Sequence, residues 1–229
     1  MKRLYWITLS ILFAATGCGT LQKATTHGLS DGSYRIASDQ GTKPVYISVT
    51  EDSMAIYDLK GDARSHNSAI FFHFDQDHLP LKLSKSGLDF DIATILFKYR
   101  FKTNTLPAQV NSNLNLAGYL GYKKEFFRFT SRKTPDGRFK THRLHYSFDA
   151  GLFTGIGATT MNASTTNGFL TTEYDGMIWQ NGAAGFIGFD IFTFGIGVGF
   201  DTLLDSNRKT WIYNGKPWIG LMIGLTLQN

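Results

Sequence analysis

The sequence of 229 residues predicts an all-β fold: an antiparallel, transmembrane-type β-barrel of about eight strands behind a small N-terminal β-subdomain. Three observations predict it. The first is composition, in which 19 Phe, 10 Tyr and 4 Trp stand beside 24 Gly and only 5 Pro, a pairing that favours pleated sheet with tight turns over a helical bundle. The second is strict apolar alternation of period two in long runs from residue 69 onward. The third is the face opposite the apolar one, where Asn, Gln, Gly, Ser and isolated Asp stand in place of the Lys, Glu and Thr that a strand shows to water.

At the N-terminus Met1, Lys2 and Arg3 precede an apolar run, Leu4 to Ala15. A bilayer-spanning helix needs roughly 20 such residues, so the run is too short to span and reads with its small-residue end as a signal peptide over 1–17. Ala15-Thr16-Gly17-Cys18 resembles the bacterial lipobox, in which the Cys thiol takes a diacylglycerol and becomes the first residue of the mature chain. Ala-x-Gly equally suits ordinary cleavage at the same bond. Cys18 is the single Cys, so an internal disulfide and a Cys-rich metal site are excluded. Two or three acyl chains on Cys18 would anchor the chain stably, since each buried CH₂ contributes about 0.8 kcal/mol. Loss of Lys2 and Arg3 leaves 21 basic against 18 acidic residues, a formal charge of +3 where the full chain carries +5. The Lys and Arg are scattered rather than arranged in a stripe, which argues against nucleic acid as a partner and leaves outer-membrane lipid, or another envelope protein met through loops.

Residues 18–32 read as a polar, turn-rich tether. Short alternating runs at Tyr34 to Ala37, Val45 to Val49 and Met54 to Leu59 make 33–65 a small β-subdomain, with Thr50-Glu51-Asp52-Ser53 as a hairpin loop. The barrel is expected over 66–229, with strands at 69–75, 88–101, 107–122, 124–132, 142–158, 174–188, 191–201 and 211–227 and a slip of apolar phase near Ala93-Thr94. Aromatics near the strand ends (Tyr99, Phe101, Tyr119, Tyr122, Trp179, Trp211, Tyr213, Trp218) fit interfacial girdles. Such alternation also fits a soluble sandwich or a lipocalin-like cup; the small, neutral second face favours the barrel with its apolar face outward. The opening phrase Asp31-Gly32-Ser33-Tyr34 with Val45 to Ser53, and the closing phrases Phe200-Asp201-Thr202-Leu203-Leu204-Asp205 and Trp211 to Trp218, resemble a family of Bacteroidota outer-membrane β-barrel proteins. That resemblance implies a location and a fold, and no activity.

Chemistry-bearing residues are sparse. His73, Asp75 and Asp77 share one face of an extended segment with His78 adjacent, a donor set that suits zinc or manganese; the same stretch reads as a solvated turn leading to Pro80. His145, Ser147 and Asp149 point to one polar face and have the residue types of base, nucleophile and orienting acid. Same-face neighbours lie roughly 6 to 7 Å apart, so a relay needs partners from other strands, and a hydrogen-bonded interior network is the alternative. Gln109, Asn111, Asn113 and Asn115, with Gly195, Gly197 and Gly199, are the expected lumen-lining residues. No P-loop, nucleophile elbow or HExxH occurs and no cofactor is expected. The expected function is an outer-membrane lipoprotein barrel with a structural or loop-mediated interaction role; a narrow pore or small-ligand carrier is the alternative, and an envelope lipid-modifying enzyme a third.

Overall fold

The computed structural model describes residues 28–38, 41–59, 69–77, 80–190 and 192–226. The expected signal peptide over 1–17, Cys18, most of the expected tether and His78 lie outside the described residues. The strands are β1 (Gly32–Ser38), β2 (Gly41–Val49), β3 (Ser53–Asp58), β4 (Ile70–His73), β5 (Leu81–Arg100), β6 (Gln109–Asn111), β7 (Asn115–Lys133), β8 (Phe139–Met161), β9 (Tyr174–Phe189), β10 (Phe192–Leu203) and β11 (Pro217–Thr226). All belong to one antiparallel sheet ordered β11-β10-β9-β8-β7-β5-β1-β2-β3-β4, with β6 beside β5. Because β11 pairs in addition with β5, the six strands β5, β7, β8, β9, β10 and β11 form a ring of pairings.

Strand β5 joins the ring to the rest. One of its edges carries β7 over Leu81 to Thr94 and then β6 over Lys98 to Arg100. The other carries β1 at Leu83 and Ser84, then β11 over Asp91 to Arg100. The first part of β5 and the last part of β7 therefore leave the ring and pack with β1 to β4 around Tyr34, Val45, Ile47, Met54, Ile56, Phe74, Leu83, Phe127 and Phe129. The small N-terminal sheet thus borrows part of its core from the long ring strands. Thr141 Oγ1 donates to the Phe74 carbonyl and Ser131 Oγ to that of Gln76, tying the segment after β4 back to β8 and β7.

Eight expected strands become six in the ring for two physical reasons. Lys123-Lys124-Glu125 holds no turn-forming residue, so β7 runs straight through it, paired with β8 from Asn115↔Gly157 to Lys133↔Phe139. The segment expected at 69–75 is the short β4, which pairs with β3 away from the ring. The phase slip is real but falls two residues later than expected: Leu221 pairs with Phe97 and Met222 with Ile95, leaving Leu96 as a bulge. Before it, Asp89, Asp91, Ala93 and Ile95 are buried; after it, Lys98 and Arg100 are.

The outward face of the ring is apolar and exposed, and the inward face mixes apolar with charged side chains. Leu88, Phe90, Leu116, Leu152, Ile156, Phe194 and Ile196 are half or more exposed, up to 74% at Leu88. The inward face packs Ala93, Ile95, Ala117, Tyr119, Phe153, Ala184, Phe186, Trp218 and Met222. Four of the expected girdle aromatics, Tyr99, Phe101, Tyr122 and Trp179, are exposed, whereas Tyr119, Trp211, Tyr213 and Trp218 are buried. They were misplaced because position near a strand end says nothing about which face a side chain takes; period two does, and it puts Trp218 on the face of Gly220 and Met222.

Glycines on that inward face leave room for the large rings. A Cβ on Gly199 would meet Trp218 Cζ2 at 2.6 Å and the Asn181 carbonyl at 2.7 Å, while one on the outward Gly185 meets nothing closer than 3.6 Å. Gly199→Ala is expected to destabilise the fold by about 1–3 kcal/mol through overpacking, with Gly185→Ala within a few tenths of wild type. Thermal loss of the folded band in unheated gels checks the pair; equal midpoints would reject the packing.

Candidate functional site

The bulge at Leu96 and the alternation after it deliver two cations to the interior, and β10 meets them with a carboxylate. Lys98 Nζ donates to Asp201 Oδ1 at 3.0 Å and Oδ2 at 3.1 Å, and Arg100 Nη2 pairs with Asp201 Oδ2. Trp218 Nε1 donates to Asp201 Oδ1 at 2.8 Å, and Lys98 Nζ also donates to Gln180 Oε1 at 2.9 Å. Gln180 Nε2 in turn donates to the carbonyls of Leu116 at 3.1 Å and Ile156 at 3.2 Å. Lys98 and Arg100 lie on β5, Leu116 on β7, Ile156 on β8, Gln180 on β9, Asp201 on β10 and Trp218 on β11, so one network touches all six ring strands.

Two cations on one carboxylate leave excess positive charge in a buried place, and aromatic rings face it. Lys98 Nζ lies 4.7 Å from the Trp218 ring centroid, and the Arg100 guanidinium 5.1 Å from Trp211 and 5.2 Å from Tyr213. Trp211 and Tyr213 belong to a lid over this end of the ring, packed with Met161, Ile178 and Leu203. The lid is built from two loops. Ile212 N donates to the Thr165 carbonyl at 3.1 Å, and Tyr174 Oη donates to Asp205 Oδ2 at 2.7 Å while accepting from Asn207 Nδ2 at 2.9 Å.

At the other end of the ring, toward β1, a second polar cluster surrounds a cavity of about 10 Å³, room for one water, lined by Asp89, Asp91, Lys123, Ser147, Asp149 and Phe186 among others. Tyr119 Oη donates to Asp149 Oδ1 at 2.7 Å, and Lys123 Nζ lies 3.6 Å from Asp89 Oδ2. Between the two polar clusters the rings of Phe153, Phe186 and Trp218 fill the interior.

The residues singled out in sequence fall as follows. Ser147 and Asp149 share the small cavity, but His145 is engaged elsewhere: its ring stacks on Phe127 at 4.5 Å and its Nε2 lies 3.3 Å from Glu125 Oε1. Among the described residues no hydrogen bond joins Ser147 to His145 or His145 to Asp149, so the three are not assembled as a relay. Gly195, Gly197 and Gly199 face inward against Phe186, Met222, Phe153 and Trp218. Asn115 is buried and its Nδ2 donates to the Asn113 carbonyl at 2.6 Å. Gln109 and Asn111 are half-buried on β6, and Asn113 donates to Thr160 Oγ1 at 3.4 Å. His73, Asp75 and Asp77 are exposed at and after β4, and among the described residues no group of three or more His, Cys, Asp or Glu is arranged to hold a metal.

Sequence reasoning put Asp201 on the polar face but missed its partners. Lys98 and Arg100 were legible only through the slip: placed at Ala93-Thr94 it already turns both to the face of Asp89 and Asp91, an implication the alternation alone hides. Gln180 carried a signal that went unused: alternation puts it on the face of Ile178 and Gly182, opposite Trp179.

Removing the Asp201 carboxylate leaves two buried cations without their anion, a loss that typically costs about 3–5 kcal/mol. Asp201→Ala is therefore expected to lower the midpoint of band-shift unfolding far more than an exposed control such as Asp136→Ala; similar midpoints would remove the network from its structural role. Glu125 supplies a pH test. Burial raises its carboxyl, but the His145 imidazole 3.3 Å away and the charges of Lys123 and Lys85 outweigh that and hold it below the usual value. A depressed folded value contributes stability that is present above the unfolded value, about 4.3, and is lost as pH falls through the folded one. Wild type should lose stability in that acid window more steeply than Glu125→Gln in denaturant titrations; parallel curves would reject the contribution.

Comparison of the chain with family models, with curated proteins and with solved structures finds no match to any of them, so geometry and sequence carry the functional reading.

Proposed function

We propose that the chain is an outer-membrane lipoprotein whose ring is a closed, membrane-embedded barrel with its interior filled by its own side chains, and whose role is structural or interaction-mediating through its loops and N-terminal sheet. The observation that carries this reading is the polarity of the ring's two faces: Leu88, Leu152 and Ile196 are 74%, 67% and 65% exposed while Lys98, Arg100, Gln180 and Asp201 are 2% or less. Exposed apolar rows of this extent suit lipid and are unfavourable in water. The apolar rows have the right height, since Ala150 to Ala158 covers the 9 to 11 residues a tilted transmembrane strand needs. Export and lipid attachment at Cys18 rest on residues 1–18 alone. The resemblance to Bacteroidota barrels agrees with this location.

A filled interior favours interaction over conduction, because small barrels close around their own side chains and leave no aqueous path. The hydrogen-bonded lid of loops 162–173 and 204–216 offers a shaped surface at one end. A cysteine scan in a Cys18→Ser background tests the orientation. Cysteines at Leu116, Phe194 and Ile196 should resist a water-soluble maleimide in cells and react after detergent extraction, and strong labelling in cells would reject the barrel. Planar-bilayer recordings should be silent; stepwise openings would replace the filled barrel with the pore. Label from a palmitate analogue should vanish in Cys18→Ser.

A further inference from the structure

Where β5, β7 and β8 leave the ring, their outer face turns concave against β1 and forms a groove of 790 Å³. Its floor is aromatic: Phe126 and Tyr146 stack at 5.0 Å with an interplanar angle of 12°, and Tyr122 stands at its lower edge. Its walls carry Arg35, Lys82, Lys124 and Arg128, and among the described residues no carboxylate lines it. Among the described residues none of these four cations has an acidic side chain within ion-pair distance, although Lys124 Nζ sits 5.2 Å above the Phe126 ring. Four like charges on one concave surface repel one another, and an anionic group seated among them would relieve that repulsion.

The register places the groove relative to the apolar rows. Leu88 pairs with Tyr122 at the edge of those rows, Ser86 with Lys124 one step further, and Lys82 with Arg128 beyond that. At about 3.3 Å per residue Lys124 lies about 7 Å past Tyr122 along β7 and Arg128 about 20 Å past it. The nearer cation is at the depth of lipid headgroups, a layer of roughly 5–8 Å on each side of the hydrocarbon. We propose that this groove binds a phosphate-bearing anionic lipid of the adjoining leaflet, with its phosphate between Lys124 and Arg35, the upper end of an acyl chain against Tyr122 and the rest of its headgroup over Phe126 and Tyr146. The proposal rests on the membrane reading above and adds to it a site and a ligand class.

The test uses the purified full chain in nanodiscs of phosphatidylcholine alone and of phosphatidylcholine mixed with phosphatidylglycerol, with native mass spectrometry of the lipid that stays bound on release. Phosphatidylglycerol should be retained over phosphatidylcholine, and Arg35→Gln or Lys124→Gln should each lower that preference about fivefold, as expected for one cation near a lipid surface. Arg128→Lys should keep it. All three sites are exposed, so a retained gel shift certifies the fold of each variant. Equal retention of the two lipids, or a preference unchanged in the Gln variants, overturns the site. Displacement by millimolar inorganic phosphate also overturns it as a lipid site, because a free anion would then suffice. A chain that stays out of the nanodisc overturns the membrane reading itself, and this site with it.

Discussion

Asp201 is the anion on which the ring depends. A sheet that pairs with itself needs something to fix where its first and last strands meet, and here that seam is β5 against β11 with β10 behind. Asp201 accepts from Lys98 and Arg100 on one side of the seam and from Trp218 on the other, while Gln180 carries the network on to β7 and β8. Hydrogen bonds between backbones tolerate a slip of register; a buried carboxylate with two cations does not, because any slip strands a charge in an apolar surround. The network therefore specifies one register more than it adds stability, and it does so from the one place that every ring strand can reach.

The bulge at Leu96 makes this possible. Without an extra residue, the alternation that puts Asp89, Asp91, Ala93 and Ile95 inside would turn Phe97 and Tyr99 inward and Lys98 and Arg100 outward. With it, β5 serves two surroundings: its first part is shared with β1 and the N-terminal sheet, and its last part reads in the phase that Asp201 requires. The same strand thus links the N-terminal sheet and the ring, and the boundary between them runs along β5 and β7 rather than through a linker.

How much of this was legible in the sequence follows from what each signal reports. Alternation is local, and it gave the inward and outward residues of β7, β8 and β10 directly: Leu116 and Leu120, Leu152 and Ile156, Phe194 and Ile196 all point outward as the pattern requires. Pairing partners are not local. Lys123-Lys124-Glu125 holds no turn former, but nothing local in it says what the further stretch of β7 meets, since its partners are β8 and the distant start of β5. The interior network was equally hidden, because Lys98, Gln180, Asp201 and Trp218 come together only after three long-range pairings are in place. Trp218 shows the hazard of reading residue type over phase: tryptophan belongs often enough at a membrane boundary, but its partner here is a buried carboxylate.

Six strands rather than eight also change what the interior can be used for. Enclosed width grows with strand number, and even eight strands leave space just sufficient for side chains. With six strands, the bulk of Phe153, Phe186 and Trp218 fits only because Gly195, Gly197 and Gly199 stand opposite them, so the glycines that read as space in the sequence are spaces already taken. Several polar groups inside pair with one another in the same way, Lys98 with Asp201, Asp149 with Tyr119, Gln180 with two carbonyls, while Arg100 gives Asp201 only its Nη2 and among the described residues has no hydrogen-bond partner for Nε or Nη1. Recognition then has to take place on surfaces, and the surfaces differ in kind. The lid of paired loops is rich in hydroxyls and amides, and the groove beside β1 is cationic over an aromatic floor. With the interior taken up in holding register, the proposed interaction role rests on these two surfaces, the lid and the cationic groove.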